Sequence, residues 1–344
     1  MKAFPPPRLR DLDKQSASNF IRLVNDLRTS YVTLMIGSGV SASAGLPIWK
    51  DFLKRVCGAF FDHWESLIEW NRCSITQPPK ELSITGVNED SWTESTKNTT
   101  EILLENDPVL IAQQIRNCIR HRDWFYLLRK CLYLNEDEEL VDTSKSILMD
   151  NIAKLCAESD AILSVINYNY DSTLEDYLSK YNIKFSKVYD ENRKTQKGSL
   201  RIFHPHGYLG LDGGSKSIIL TESDYHFEST IPYSWANIVQ TRFLSDSTCI
   251  FIGLSMTDPN IRRLLRSSVE IFSGYHYAFL PCSQTQNDHE KMLTSLFDLD
   301  LLKLGVKTIR FAKNDNKEDP YSKLPGLFKM LLSSIKSVET IWEK

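Results

Sequence analysis

Apolar positions along this chain fall into two rhythms. Short β-rich runs occur at Tyr31–Ile36, Ala161–Ile166, Ile183–Val188, Arg201–Phe203, Ser247–Ile252, Tyr275–Leu280 and Val306–Phe311. Most are separated by helix-sized stretches, the alternation that builds a parallel sheet covered by helices. Helical spacing runs through 16–29, with Phe20, Ile21, Val24 and Leu27 assigned to one face, and resumes over Pro47 to Val56. Between 57 and 155 the helical rhythm dominates. The stretch 107–134 reads as one helix, with Asp107 as N-cap and Pro108 in the first turn, and Leu148, Ile152 and Leu155 mark another. Residues 74–100 are polar and aperiodic and read as a long loop; 320–342 reads as a terminal helix.

These elements predict an α/β fold: a Rossmann-like, mostly parallel sheet with helices on both faces and an inserted helical subdomain. The expected division is an N-terminal arm at 1–15, a nucleotide-binding domain from 16–56 and 156–312, a helical insertion at 57–155, and a C-terminal helix at 313–344.

Composition adds limits. With 344 residues, 42% of them hydrophobic, the chain has material for a sizeable core. A net charge of −3 gives no global field to draw nucleic acid, so contact with it is expected only through a partner. The densest basic cluster, residues 262–266, reads as a solvated helix face. The seven cysteines include no C-x-x-C pair, which points to a reducing compartment and away from a cysteine-built zinc site. No signal peptide or membrane span is visible, so a cytoplasmic location is expected.

Candidate chemistry gathers where apolar runs end. Open α/β sheets bind ligands beyond the carboxyl ends of their strands. The first run ends in Gly37-Ser38-Gly39-Val40-Ser41-Ala42-Ser43-Ala44-Gly45, a small-residue turn suited to a phosphate at a helix start. It is neither the G-x-G-x-x-G fingerprint nor a Walker A loop. Three later runs end in Asn167-Tyr168-Asn169-Tyr170-Asp171, His204-Pro205-His206-Gly207 and Gly253-Leu254-Ser255-Met256-Thr257-Asp258. Singly each has a plain structural reading: Asp171 and Asp258 are good helix caps, and a histidine before glycine suits a turn.

In this order the four segments resemble the sirtuin pattern over roughly 31–56 and 160–280. The resemblance implies that NAD is bound as a substrate. Gly37, Ser38, Gly39 and Ser41 match its pyrophosphate loop. Asn169 and Asp171 match the pair at the nicotinamide-side ribose, His206 matches the catalytic base, and Gly253 and Ser255 match the adenosine-side turn. Asn169 and His206 are thus the catalytic candidates. His204 matches no family position and is assigned a structural role. Departures from deacylase sirtuins are clear: paired-cysteine knuckles are absent, and Ile48-Trp49-Lys50 stands where those enzymes have Asp-Phe-Arg. Both features resemble the NAD hydrolases of bacterial antiphage systems. That branch implies cleavage of the nicotinamide–ribose bond, a homo-oligomer, no zinc, and activation in trans by a sensor such as a HerA-type ATPase. An NAD-dependent protein-lysine deacylase and a non-enzymatic NAD or ADP-ribose sensor are the alternatives.

Overall fold

The computed structural model describes residues 12–62, 87–211, 215–216, 218–283, 285–313 and 321–336. Most of the expected N-terminal arm, positions 74–86 of the expected loop, Cys73 and the two ends of the expected terminal helix lie outside these residues.

The chain opens with helix α1 (Lys14–Thr29), whose first-turn N–H groups are met by the Asp13 carboxylate. Strand β1 (Val32–Ile36) leads into a single short helix α2 (Ser38–Ala42), followed by α3 (Trp49–Asp62). Then come α4 (Glu94–Asn106), α5 (Pro108–Cys118), α6 (His121–Tyr133) and α7 (Ile147–Glu158). Strand β2 (Ile162–Asn167), α8 (Thr173–Lys180), β3 (Phe185–Val188) and β4 (Leu200–Phe203) follow. A two-stranded antiparallel hairpin, β5 (Tyr208–Leu209) and β6 (Ser215–Lys216), precedes α9 (Glu222–Thr230) and α10 (Trp235–Asp246). The chain ends with β7 (Thr248–Ile252), α11 (Pro259–Ser268), β8 (His276–Cys282), α12 (Asp288–Lys303), β9 (Val306–Ala312) and α13 (Leu324–Lys336).

All seven apolar runs are strands of one sheet, ordered β3-β4-β2-β1-β7-β8-β9, and every pairing is parallel. The fold is therefore the expected α/β class. Alternate residues of each strand face opposite layers. Leu34, Ile36, Ile250 and Ile252 pack with α1, α7, α8 and α13, while Met35, Cys249 and Phe251 pack with α10, α11 and α12. A third cluster joins α3, α5 and α6 to Tyr170, Leu209, Ile218 and Leu220, which lie in segments leaving β2 and β4. Helical mass thus packs against the same segments that carry the candidate motifs.

Three details differ from the sequence reading. Ile21 is exposed and Leu23 takes its place in the core, because a helical step of about 100° puts 20, 23, 24 and 27 on one side. The expected helix over 107–134 is two helices: Ile119 and Arg120 are extended, with no glycine or proline to mark the break. Within the expected loop, Glu94 onward is helical, capped by the Thr93 hydroxyl, and Trp92 is buried over Gly58.

One buried group sets an acid limit on stability. His276 opens β8, and its Nδ1 accepts the Cys249 N–H at 3.1 Å. Burial pulls its pKa down to about 4, from 6.5 for a free side chain. The unfolded chain therefore binds a proton that the folded chain refuses. Its stabilising contribution is full above pH 6.5 and is lost as pH falls toward 4, roughly 3 kcal/mol in all. Thermal melts across that window are expected to show a steep drop for the wild type and a shallower one for His276→Gln. Parallel curves would remove this assignment.

Candidate functional site

Register puts the motif segments at one edge. Ile36 pairs with both Asn167 and Ile252, and Phe203 pairs with Ile166. The turns after β1, β2, β4 and β7 consequently leave the sheet side by side. The chain runs from β1 to β2, crosses to the edge strand β3 and lays β4 between them, then returns to build β7, β8 and β9 on the other side. The reversal at β1 and β7 is a topological switch point, the place where α/β sheets open a crevice for ligands.

The β1 and β7 turns interlock. Gly37 donates its N–H to Ile252 O at 2.9 Å, and Gly39 donates to Gly253 O at 3.0 Å. A Cβ on Gly37 would lie 2.4 Å from Leu254, and one on Gly39 would lie 2.3 Å from the Tyr321 ring. Gly253 has φ +68°, and a Cβ there would lie 2.5 Å from the backbone N of Val40. Packing of one turn on the other accounts for Gly37 and Gly253, and packing of Tyr321 accounts for Gly39. The sequence reading assigns their bareness to close approach by a ligand; in the structure protein atoms fill those directions. Ser38 is the first residue of α2 and is half-buried.

A buried polar network joins β1 to β2. Asn169 Nδ2 donates to Gly37 O at 3.0 Å and to Ser41 Oγ at 2.8 Å. Ser41 in turn donates to Asp171 Oδ2 at 2.7 Å, and Asp171 Oδ1 accepts the Thr173 N–H at 3.0 Å at the start of α8. Both Asn169 amide hydrogens are therefore committed, and any further contact it makes is through Oδ1 as an acceptor. The Asp171 carboxyl group lies beside a helix N-terminus.

His206 lies in the turn after β4. Its ring meets Tyr168 edge to face at 5.0 Å between centroids and Tyr225 of α9 at 6.3 Å. Its Nε2 is buried without a hydrogen-bond partner. Burial lowers its pKa, partly opposed by the nearby Asp258 charge, so the neutral ring is favoured. A neutral imidazole with an unengaged nitrogen is the form a general base needs. Asp258 also caps α11 through the N–H groups of Asn260 and Ile261. Ser255 is separate from the network: it is exposed, and its hydroxyl pairs with Thr257 at 2.6 Å.

His204 and Glu175 form a second buried set. His204 Nδ1 lies 3.1 Å from Asn169 O, and Nε2 lies 2.8 Å from Glu175 Oε1. The Asn169 carbonyl only accepts, so Nδ1 carries a hydrogen. The pair fixes the Asn169 backbone from beneath. Glu175 escapes a reading of the sequence because an acid in a helix first turn looks like an ordinary solvated residue; only packing shows it buried.

The basic segment 262–266 is more engaged than a solvated face. Arg262 pairs with Asp300, and Arg263 donates to Asn237 at 3.0 Å and to Asn260 at 2.6 Å. Among the described residues, no helix is long and apolar enough to cross a membrane.

The fold is an α/β domain with polar, histidine-bearing turns at the carboxyl edge of its parallel sheet. Residues 163–298 match the family model of the SIR2-like domain. That span contains Asn169, Asp171, His206, Gly253 and Ser255, and begins well after the glycine turn at 37–45. Residues 163–298 thus carry a SIR2-like domain, which implies NAD-related activity and suggests an NAD-consuming enzyme. Curated proteins give no match to the chain.

Proposed function

We propose that the chain is an NAD glycohydrolase that cleaves the nicotinamide–ribose bond to give nicotinamide and ADP-ribose. The observation that carries this reading is His206: a buried ring whose Nε2 has no protein partner, packed edge to face on Tyr168, the chain neighbour of Asn169. A buried polar atom left unpaired costs about 1–3 kcal/mol, which a structure retains where a ligand meets it. Other buried atoms lack partners too, among them Glu175 Oε2, but His206 alone of these lies in a motif carried over from the resemblance.

Nicotinamide leaves a cationic ring as a neutral molecule, so no general acid is required. The site has to place the ribose, favour positive charge developing on it, and admit water. Asn169 Oδ1 is the free acceptor for a ribose hydroxyl or the attacking water. His206 receives the proton. The buried Asp171 carboxylate favours the cationic transition state. With the Gly37 and Gly39 amides taken, Ser38 is the residue of the first turn left to a pyrophosphate, and Ser255 lies on the adenosine side.

A defence role, with NAD depleted once a partner in trans such as a HerA-type ATPase signals infection, follows from the same resemblance. The direct test incubates the full chain, alone and with its neighbouring gene products, with NAD in the presence and absence of an acyl-lysine peptide. Nicotinamide release without peptide supports the hydrolase. Release only with peptide replaces it by the deacylase, and tight NAD binding without release under every condition replaces it by the sensor.

A further inference from the structure

Helix α12 is oriented against the usual rule. It lies on β9 through a narrow inner face: Leu301 is buried, Phe297 is half-buried, and Asp298 bonds Arg310 at 2.6 Å. Its outer face is the apolar one. Met292, Leu293, Leu296, Leu299 and Leu302 are between 44% and 62% exposed. Met292, Leu296 and Leu299 follow the four-then-three spacing of a coiled-coil seam, and Leu293 and Leu302 flank it on either side. Among the described residues nothing covers this stripe. Five side chains of this size expose on the order of 400 Å², the scale at which an apolar patch on a soluble protein marks a contact site.

The charges around the stripe select its occupant. Asp298 and Asp300 are tied to Arg310 and Arg262 within the chain. What remains is an acidic first turn, Asp288 and Glu290 offset in part by Lys291, and a basic last turn, Lys303. Two such helices side by side and antiparallel place each acidic turn against the other's lysine and oppose their macrodipoles. A parallel pair sets like ends together. The antiparallel arrangement is also the one a two-fold axis produces, with the same patch on both copies. Both stripes together bury on the order of 800–1,000 Å², near the lower end for a specific contact.

We infer that α12 is a self-association face, and that its partner is the antiparallel α12 of a second copy of this chain. The inference is independent of the reaction at His206.

Sedimentation velocity of the full chain across micromolar concentrations tests it. The wild type is expected at twice the 39.6 kDa chain mass. Leu296→Glu combined with Leu299→Glu is expected to sediment as a monomer, with association weakened about a hundredfold or more. Because both positions are exposed, its far-UV circular dichroism and melting temperature should match the wild type. Lys303→Glu is expected to weaken the dimer about tenfold, and Asp288→Lys added to it should restore much of the loss. A wild type that stays monomeric throughout overturns the inference, whether the stripe is then covered by another segment of the chain or by a different protein. A double variant that remains dimeric overturns it as well, by moving the contact elsewhere.

Discussion

His206→Ala is expected to release nicotinamide from NAD at least about a hundredfold more slowly than the wild type, while remaining folded. General-base catalysis contributes about 10²- to 10⁴-fold. The His206 Nε2 has no hydrogen bond to lose, so the substitution removes ring packing against Tyr168 and Tyr225 without stranding a polar partner of that nitrogen. A melt and a circular dichroism spectrum establish that the variant is folded before its rate is read, under the conditions in which the wild type is active. Wild-type turnover in a folded His206→Ala protein would defeat the assignment of the base and, with it, the chemistry proposed for the site.

The second large effect is structural. Gly253→Ala is expected to destabilise the fold by roughly 2–5 kcal/mol, because a left-handed backbone strains any L side chain and the new Cβ overpacks a closed contact. The atoms it would strike are the backbone N of Val40 at 2.5 Å and the carbonyl carbon of Gly39 at 2.9 Å, so no side chain can swing aside. The two interlocked turns must separate, and NAD binding should fail along with stability. Gly198→Ala is the control: φ is +75° there too, but nothing lies within 4 Å of the new Cβ. Its expected cost is only the backbone strain, about 1–2 kcal/mol. Equal melting temperatures for the two variants would show that the contact between the turns is looser than this geometry demands.

Much of this protein is written locally. Each strand of the seven-stranded sheet is a short apolar run buried by its neighbours, so composition alone marks it, and the chain segments at Gly37, Asn169, His206 and Gly253 declare themselves because small or polar residues interrupt such runs. Caps are as legible: Asp107 and Asp258 each accept two N–H groups at a helix start, followed by proline in the first turn. Local pattern fails where the deciding contact is distant. Thr93 and Trp92 look like members of a polar loop until Trp92 meets Gly58. The break at Ile119 has no local residue to announce it.

The sequence by itself determined the seven strands of the main sheet, the α/β class and the four candidate segments, since these depend on side-chain periodicity and on residues with special backbone freedom. Tertiary structure decided the order of the strands, and so brought segments more than a hundred residues apart to one edge, because parallel pairing is non-local and leaves no mark on any single strand. It decided that Gly37 and Gly253 serve the packing of one turn on another, and that Gly39 makes room for Tyr321. It also decided that His204 and Glu175 clamp Asn169 from below, since an acid and a histidine 29 residues apart show their pairing only when both are buried.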